Sequence, residues 1–174
     1  MTTKLVISAL GADRPGIVDE LSNIIYNHEL NIEDSRMTIL GGEFAILLLV
    51  SGELTALDAL QSELSEIEQA LQMSLLVRPT TQSDITGNVI PYSVKVAALD
   101  YPGIVSNIAN FFSSRHINIV NLETESYSAP HTGSPMFALD MTIGIPAETN
   151  IAQLRETFMD ACDELNLDAE LTNL

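Results

Sequence analysis

Two short motifs recur along the chain and contain residue types that suit the binding of a small charged molecule. Asp13–Val18 reads Asp-Arg-Pro-Gly-Ile-Val, and Asp100–Val105 repeats it 87 residues later with Tyr in place of Arg. At the same offset, Leu30-Asn31-Ile32 reappears as Ile117-Asn118-Ile119. A constant offset between two separated motifs predicts a duplicated domain.

Each Pro-Gly pair is expected to begin a helix, because Pro is tolerated in the first helical turn, where its missing N–H has no partner. The N-terminus of a helix presents free N–H groups and the positive end of the dipole, which favour a carboxylate. Gly16 would let a ligand approach the backbone closely. The first turn is therefore a candidate anion site.

The same residues also have a purely structural interpretation. Asp-x-Pro-Gly is a good helix start, and Asp13 or Asp100 would satisfy the free amides there without any ligand. Asn31 and Asn118 would then only shape the turn after the helix, since Asn tolerates left-handed backbone geometry. Both interpretations stay open at the level of sequence.

The remaining reactive residue types form no catalytic or metal-binding pattern. The sequence contains no Cys-x-x-Cys, no phosphate-binding Walker loop and no Gly-x-Ser-x-Gly. His28 and His116 are expected near the C-termini of equivalent helices, and Cys162 lies on an apolar stripe typical of a core. We therefore expect no catalytic residue, no metal site and no cofactor.

The elements that position these motifs follow from hydrophobic periodicity. Each half predicts strand, helix, strand, strand, helix and strand. This order predicts an α+β fold of two tandem ferredoxin-like βαββαβ modules, each an antiparallel sheet with helices on one face. The predicted elements are Leu5–Leu10, a helix from Pro15, Asn31–Leu40, Glu43–Val50, one helix marked by Leu57 to Leu71 and Met73–Val77, then Tyr92–Leu99, a helix over Ile104 to Phe112, Asn118–Tyr127, Met136–Ile145, a helix over Ile151 to Leu165 and Ala169–Thr172.

The boundaries between the modules follow from a polar stretch with little periodicity. We expect a first domain over residues 1–78, a linker over 79–90 and a second domain over 91–174. Phe44–Val50 does not alternate, which predicts a strand buried on both faces. Another module or another chain should then cover the open side of the first sheet, and we expect a homodimer.

Composition limits the classes of partner. The formal net charge is −17, with 24 acidic residues against 7 basic ones. Direct binding to nucleic acid or to an anionic membrane is unfavourable, because both depend on Lys and Arg. One cysteine excludes an internal disulfide, and the N-terminus lacks the apolar region of a signal peptide. These features predict a cytoplasmic protein.

The motifs resemble a known family. A strand followed by Asp-x-Pro-Gly-Ile-Val, as in Asp13–Val18, and then by hydrophobe-Asn-Ile, as in Leu30–Ile32, is similar to the ACT domain, a small-molecule sensor module that often binds amino acids. Across all 174 residues the chain is similar to tandem ACT-domain repressors of glycine cleavage genes.

The resemblance implies a ligand site and a role. In ACT domains the amino acid lies between this turn of one module and the start of strand two of a neighbour, and an Asn amide can bind both its carboxylate and its ammonium group. Where serine-sensing relatives carry His and Asn, this sequence has Gly11 and Asp13, and an anionic Asp13 would favour an ammonium group. The implied ligand residues are Asp13, Arg14, Pro15, Gly16 and Asn31 in the first module and Asp100, Tyr101, Gly103 and Asn118 in the second.

Three functions compete. The resemblance implies a non-enzymatic repressor of glycine cleavage genes that senses glycine or another small amino acid and acts through a DNA-bound activator protein. The same modules also occur as detached regulatory subunits of metabolic enzymes. A small ferredoxin-like enzyme or an RNA-binding sheet is disfavoured, because Arg14 is replaced by Tyr101 in the repeat and exposed basic residues are scarce.

Overall fold

The computed structural model describes residues 3–80 and 88–174. The chain divides into two compact units at residues 83 and 84, and each unit is described by itself. Among the described residues, no helix is both long and apolar enough to cross a membrane.

The first unit is a four-stranded antiparallel sheet with the order β2-β3-β1-β4. Its central strands are β1 and β3, so β2 lies at an edge. Alternate residues of the strands face the helices and form one apolar core with them. The elements are β1 (Thr3–Ala12), α1 (Ile17–Asn27), β2 (Asn31–Leu40), β3 (Glu43–Gly52), α2 (Leu54–Ser62), α3 (Leu64–Leu71) and β4 (Ser74–Thr80).

The second unit repeats this topology with the order β6-β7-β5-β8. Its core is a separate cluster in which the rings of Phe111, Phe112 and Phe158 lie 5.1–5.2 Å apart. The predicted tandem βαββαβ fold is thus confirmed. The elements are β5 (Val89–Leu99), α4 (Ile104–Ser113), β6 (Asn118–Ser128), β7 (Pro135–Pro146), α5 (Ile151–Glu164) and β8 (Asp168–Asn173).

Strands β4 and β5 both extend into the stretch proposed as the linker. Strand β4 continues to Thr80, two residues beyond the expected end of the first domain, and β5 begins at Val89, within the expected linker. Residues 81–87 of that linker lie outside the described residues. The proposed linker is therefore left as a prediction over its middle part.

The second helix of the first unit is broken where the sequence predicts one continuous helix. Glu63 ends α2 and begins α3, with φ −94° and ψ 3°. No Gly or Pro marks this position, so periodicity alone misses the break. Leu57 and Leu60 on α2 and Ile67 and Leu71 on α3 all reach the same core, which explains the uninterrupted apolar stripe in the sequence.

Strand β3 buries one face rather than two. Phe44, Ile46, Leu48 and Val50 face the core. Leu47 points to the other side and is 51% exposed, so the unit by itself buries one face of β3, and the expected cover of the other face stays a prediction. The first sheet therefore has an apolar outer face that its own unit does not cover.

Candidate functional site

The first candidate turn joins β1 to α1 and leaves the helix end without a side-chain cap. Gly16 is the N-cap residue, with a left-handed φ of 93° that favours glycine. The Asp13 backbone N–H donates to the Gly42 carbonyl at 3.0 Å, and the Asp13 side chain makes no capping bond to α1. The helix N-terminus thus presents backbone N–H groups at the surface, as an anion site needs.

Arg14 in this turn is held by an ion pair. Its two terminal nitrogens each donate to one Glu20 carboxylate oxygen at 2.6 Å. The hydrogen bonds from Arg14 hold the pKa of Glu20 below its ordinary 4.5, and those to Glu20 raise the pKa of Arg14. Asp19 also lies in the first helical turn. The site therefore combines one neutralised cation with carboxylates, which suits a zwitterion or an ammonium group better than a simple anion.

Gly11 precedes this turn and is closely packed. An added Cβ would lie 2.8 Å from Met73 Cγ and 3.1 Å from the Gln72 carbonyl oxygen. A side chain such as His at this position would require β1 or the end of α3 to move. The packing of this module therefore favours glycine at position 11.

The equivalent turn of the second unit has a different set of contacts. Gly103 is again a left-handed N-cap, with φ 104°, and the Asp100 N–H donates to the Pro135 carbonyl at 2.9 Å. The Tyr101 hydroxyl donates to the Leu165 carbonyl at the end of α5 at 2.9 Å, and its ring packs against the core. Tyr101 thus has a structural role that Arg14 lacks.

The strand-two asparagines lie at the other end of each sheet. Asn31 begins β2 and is paired with Ser51, next to the Gly52 that pairs with Thr3 at the start of β1. The Asp13 turn follows the end of the same β1. A strand of this length spans roughly 33 Å. The structure therefore does not bring Asn31 to the turn of its own unit, and Asn118 lies likewise at the start of β6.

Two open cavities lie beside these positions in the first unit. One, of about 640 Å³, adjoins Gly11 on the side of α3 and is also lined by Glu43, Glu68 and Met73. The other, of about 680 Å³, contains Asn31 with Tyr26, Glu29, Gly52 and Glu53. Sequence reasoning missed Glu29 and Glu53. Their carboxylates add an acidic character to the Asn31 end that suits an ammonium group.

The other reactive side chains are accounted for by structure. The His28 ring lies 2.7 Å from the Ile24 carbonyl through Nδ1 and 3.3 Å from Glu63 through Nε2. Burial raises the pKa of the Cys162 thiol to about 11, so it is protonated at neutral pH. Over residues 3–80 and 88–174, no group of three or more His, Cys, Asp or Glu side chains could hold a metal ion.

Comparison with known proteins agrees with this architecture. The ACT domain model matches residues 3–78. The glycine cleavage system transcriptional repressor of Escherichia coli (strain K12) is 32% identical over 162 residues, which cover 93% of this chain and 85% of the relative.

Two crystal structures match over the whole chain. An unknown protein from Galdieria sulphuraria is 28% identical with a TM-score of 0.83, covering 100% of this chain and 99% of its own. A protein provisionally described as a glycine cleavage system transcriptional repressor is 26% identical with a TM-score of 0.77, covering 100% and 98%. The chain therefore belongs to the family of tandem ACT-domain proteins that contains the glycine cleavage system transcriptional repressor.

Proposed function

We propose that this protein is a non-enzymatic regulator that represses glycine cleavage genes and is controlled by glycine or another small amino acid. The observation that carries the proposal is the identity of 32% to the Escherichia coli repressor over 93% of this chain and 85% of that protein. A match over both modules supports a shared role better than a match to one module, which would only support a generic sensor.

The charge of the chain supports indirect action on DNA. A net charge of −17 repels the phosphate backbone, whose binding requires clustered Lys and Arg. We propose that the protein acts in the cytoplasm by binding a DNA-bound activator protein. A regulator of this kind needs no catalytic residue, cofactor or metal.

The ligand site that we propose joins two modules. Because Asn31 and the Asp13 turn lie at opposite ends of one sheet, a single ligand can contact both only if they come from different modules. The Gly16 helix end would receive the carboxylate, and Asp13 with the Asn31 amide would bind the ammonium group. Arg14 and Pro15 shape the turn.

The second set of ligand residues has weaker support. The Tyr101 hydroxyl is engaged by the Leu165 carbonyl, and Tyr101 stands where the first turn has the cation Arg14, while Asp100, Gly103 and Asn118 are exposed. We therefore expect the first-module residues to contribute more binding energy than the second-module residues do.

Isothermal calorimetry of the full chain against glycine, serine and the other common amino acids tests the sensor. We expect saturable binding of one small amino acid, a loss of at least tenfold in affinity for Asn31→Ala, and a smaller loss for Asn118→Ala. Asn110→Ala, at an exposed asparagine on α4, is the matched control and should bind like the parent protein. Absence of binding by every amino acid would contradict the sensor.

A gene-expression experiment tests the repressor. Deletion should raise transcription of the glycine cleavage genes in cells grown without glycine, and the Asn31→Ala protein should repress in both the presence and the absence of glycine. A pull-down followed by mass spectrometry then separates the two roles, since recovery of a metabolic enzyme instead of a DNA-binding activator would favour a regulatory subunit.

A further inference from the structure

The outer face of the first sheet, turned away from its helices, is apolar and exposed. Leu10, Leu47 and Leu76 are 53%, 51% and 55% exposed. The register makes them neighbours: Leu47 and Leu76 lie on either side of Ser8, and Leu10 lies opposite Ala45. Single exposed leucines are ordinary, but a contiguous patch on one sheet face is typical of an interaction surface.

Opposite charges lie at the two edges of this face, in one row across the sheet. The pairing places Asp34, Leu49, Val6 and Arg78 side by side on four successive strands. Asp34 contacts Arg36 on its own strand. Arg78 is exposed and makes no ion pair with any residue in the described ranges 3–80 and 88–174. The row thus ends in a carboxylate on one side and an unpaired guanidinium on the other.

The corresponding face of the second sheet is charged and mainly acidic at its centre instead of apolar. Its central row reads Glu123, Asp140, Lys95 and Glu170 across the four strands, and the next row adds Glu125 and Asp168. Glu123 stands 87 residues after Arg36, so the charge is reversed at an equivalent position. Two copies of this acidic face would repel each other, and its centre offers little apolar surface.

We propose that the outer face of the first sheet is the contact surface of a homodimer, with Asp34 of each copy opposite Arg78 of the other. A twofold axis that lies in the contact plane and runs parallel to the strands places the row of one copy over the same row of the other copy. The two ends of the row are exchanged, so the Asp34 end of one copy lies over the Arg78 end of the other. Asp34 then meets Arg78 twice, at the two rims. Leu47 and Leu10 lie on the central strands of the contact, and Leu76 on the edge strand β4 lies opposite Arg36 of the other copy. Two sheets that pack face to face in this way keep their strands within about 30° of each other.

The available area fits a modest dimer. Three strands of ten residues and one of seven, about 4.8 Å apart, present roughly 590 Å² per copy. The total of about 1,200 Å² lies at the low end of stable protein interfaces. The surface is therefore sufficient for a dimer that dissociates on dilution.

This inference names a surface for the expected homodimer of the proposed regulator. A twofold axis parallel to the strands keeps both Asn31 residues at one end of this contact and both Asp13 turns at the other, so the ligand site proposed above requires a separate contact between modules. Sedimentation velocity of the full chain over about 1 to 200 µM tests it. The wild-type protein should form a concentration-dependent dimer, and Leu47→Asp should raise the dissociation constant at least tenfold. Leu99→Asp is the matched control, since Leu99 is 61% exposed on the outer face of the second sheet, and it should leave the dimer unchanged.

A charge exchange tests the orientation. Asp34→Arg and Arg78→Asp should each weaken the dimer about tenfold, and the double variant should restore it to within about threefold of the wild type. Circular dichroism checks that each variant is folded. If Leu47→Asp is not folded, Leu76→Asp takes its place.

Three outcomes overturn the proposal: a wild-type monomer throughout the range, a dimer that tolerates both leucine variants, or a double variant no tighter than the single ones. Calorimetry separates this proposal from the sensor, because a monomer that still binds an amino acid would overturn the interface and leave the sensor standing.

Discussion

At the scale of single residues, the two Asp-x-Pro-Gly turns show how one substitution changes the use of a shared motif. Both begin a helix with a left-handed glycine, Gly16 or Gly103. Arg14 then forms a surface ion pair with Glu20, whereas Tyr101 fixes the end of α5 through Leu165. The first turn therefore keeps its polar groups at the surface, where a ligand can reach them.

The Arg14–Glu20 pair predicts a pH-dependent contribution to stability. The folded-state pKa of Glu20 is below its ordinary value, so its contribution is present above that value and is lost as the pH falls through the folded pKa. In urea titrations, Arg14→Gln should be less stable than the parent protein at about pH 7 and equal to it at about pH 2–3. Arg155→Gln, at an exposed arginine, should show no such convergence. If Arg14→Gln were still less stable than the parent protein at about pH 2–3, the result would contradict an electrostatic origin of the stabilisation.

Gly11 predicts a steric effect at the same turn. In Gly11→Ala the new methyl group would press on Met73 and on the Gln72 carbonyl, so we expect a loss of about 1–3 kcal/mol in the free energy of unfolding. Urea denaturation measures it, and Ala12→Ser at the exposed neighbouring position serves as the control. A loss no larger than that of the control would mean that β1 and α3 adjust freely.

At the scale of elements, the helix ends carry a feature that sequence did not reveal. Within the described part of the chain, four residues other than glycine adopt left-handed backbone angles after helices: Glu29, Gln72, His116 and Asn166, with φ between 54° and 57°. A left-handed residue commonly ends a helix, but glycine usually occupies the position because it carries no Cβ. These helix ends therefore carry no glycine signal that the sequence could have shown.

One of these ends offers a stabilising substitution. Gln72, at the C-cap of α3, has φ 55° and ψ 42°. Gln72→Gly should raise the free energy of unfolding by up to about 1 kcal/mol, because glycine has no Cβ strain in this conformation. Gln69→Gly, one turn earlier and exposed, should instead cost about 0.5–1 kcal/mol. Equal effects of the two variants in urea denaturation would exclude the backbone explanation.

At the scale of the whole molecule, the charge of −17 opposes the compact state through self-repulsion. Added salt screens this repulsion, so the melting temperature should rise between low and roughly 0.5 M NaCl. Differential scanning calorimetry measures the rise. Exchanging the exposed Glu156 and Glu164 for Lys removes four units of negative charge and should flatten the salt dependence. A melting temperature that falls with salt would show that ion pairs outweigh the repulsion.

Much of the fold follows from the sequence because its signals are local. The repeated Pro-Gly turns, the helical and alternating periods and the offset of 87 residues predict the duplication and the order of the elements. The apolar run Phe44–Val50 is an exception, because it does not alternate and so did not show that one face of β3 lies outside the core of its unit. The residues Asp13–Gly16 likewise predict that a helix begins after this turn, and they make the turn a candidate site for a charged ligand.

Strand order and register decided the remainder, because they join residues that are distant in the chain. Only the sheet shows that Asn31 and the Asp13 turn lie at opposite ends, so that one module alone cannot complete the predicted site. Only the register places Asp34 and Arg78 in one row, 44 residues apart in sequence. Neither relation leaves a local signal in the sequence, because both depend on how β1 pairs with β3 and β4. The sequence alone therefore determined which modules form, and the tertiary structure determined which of their faces can meet a partner.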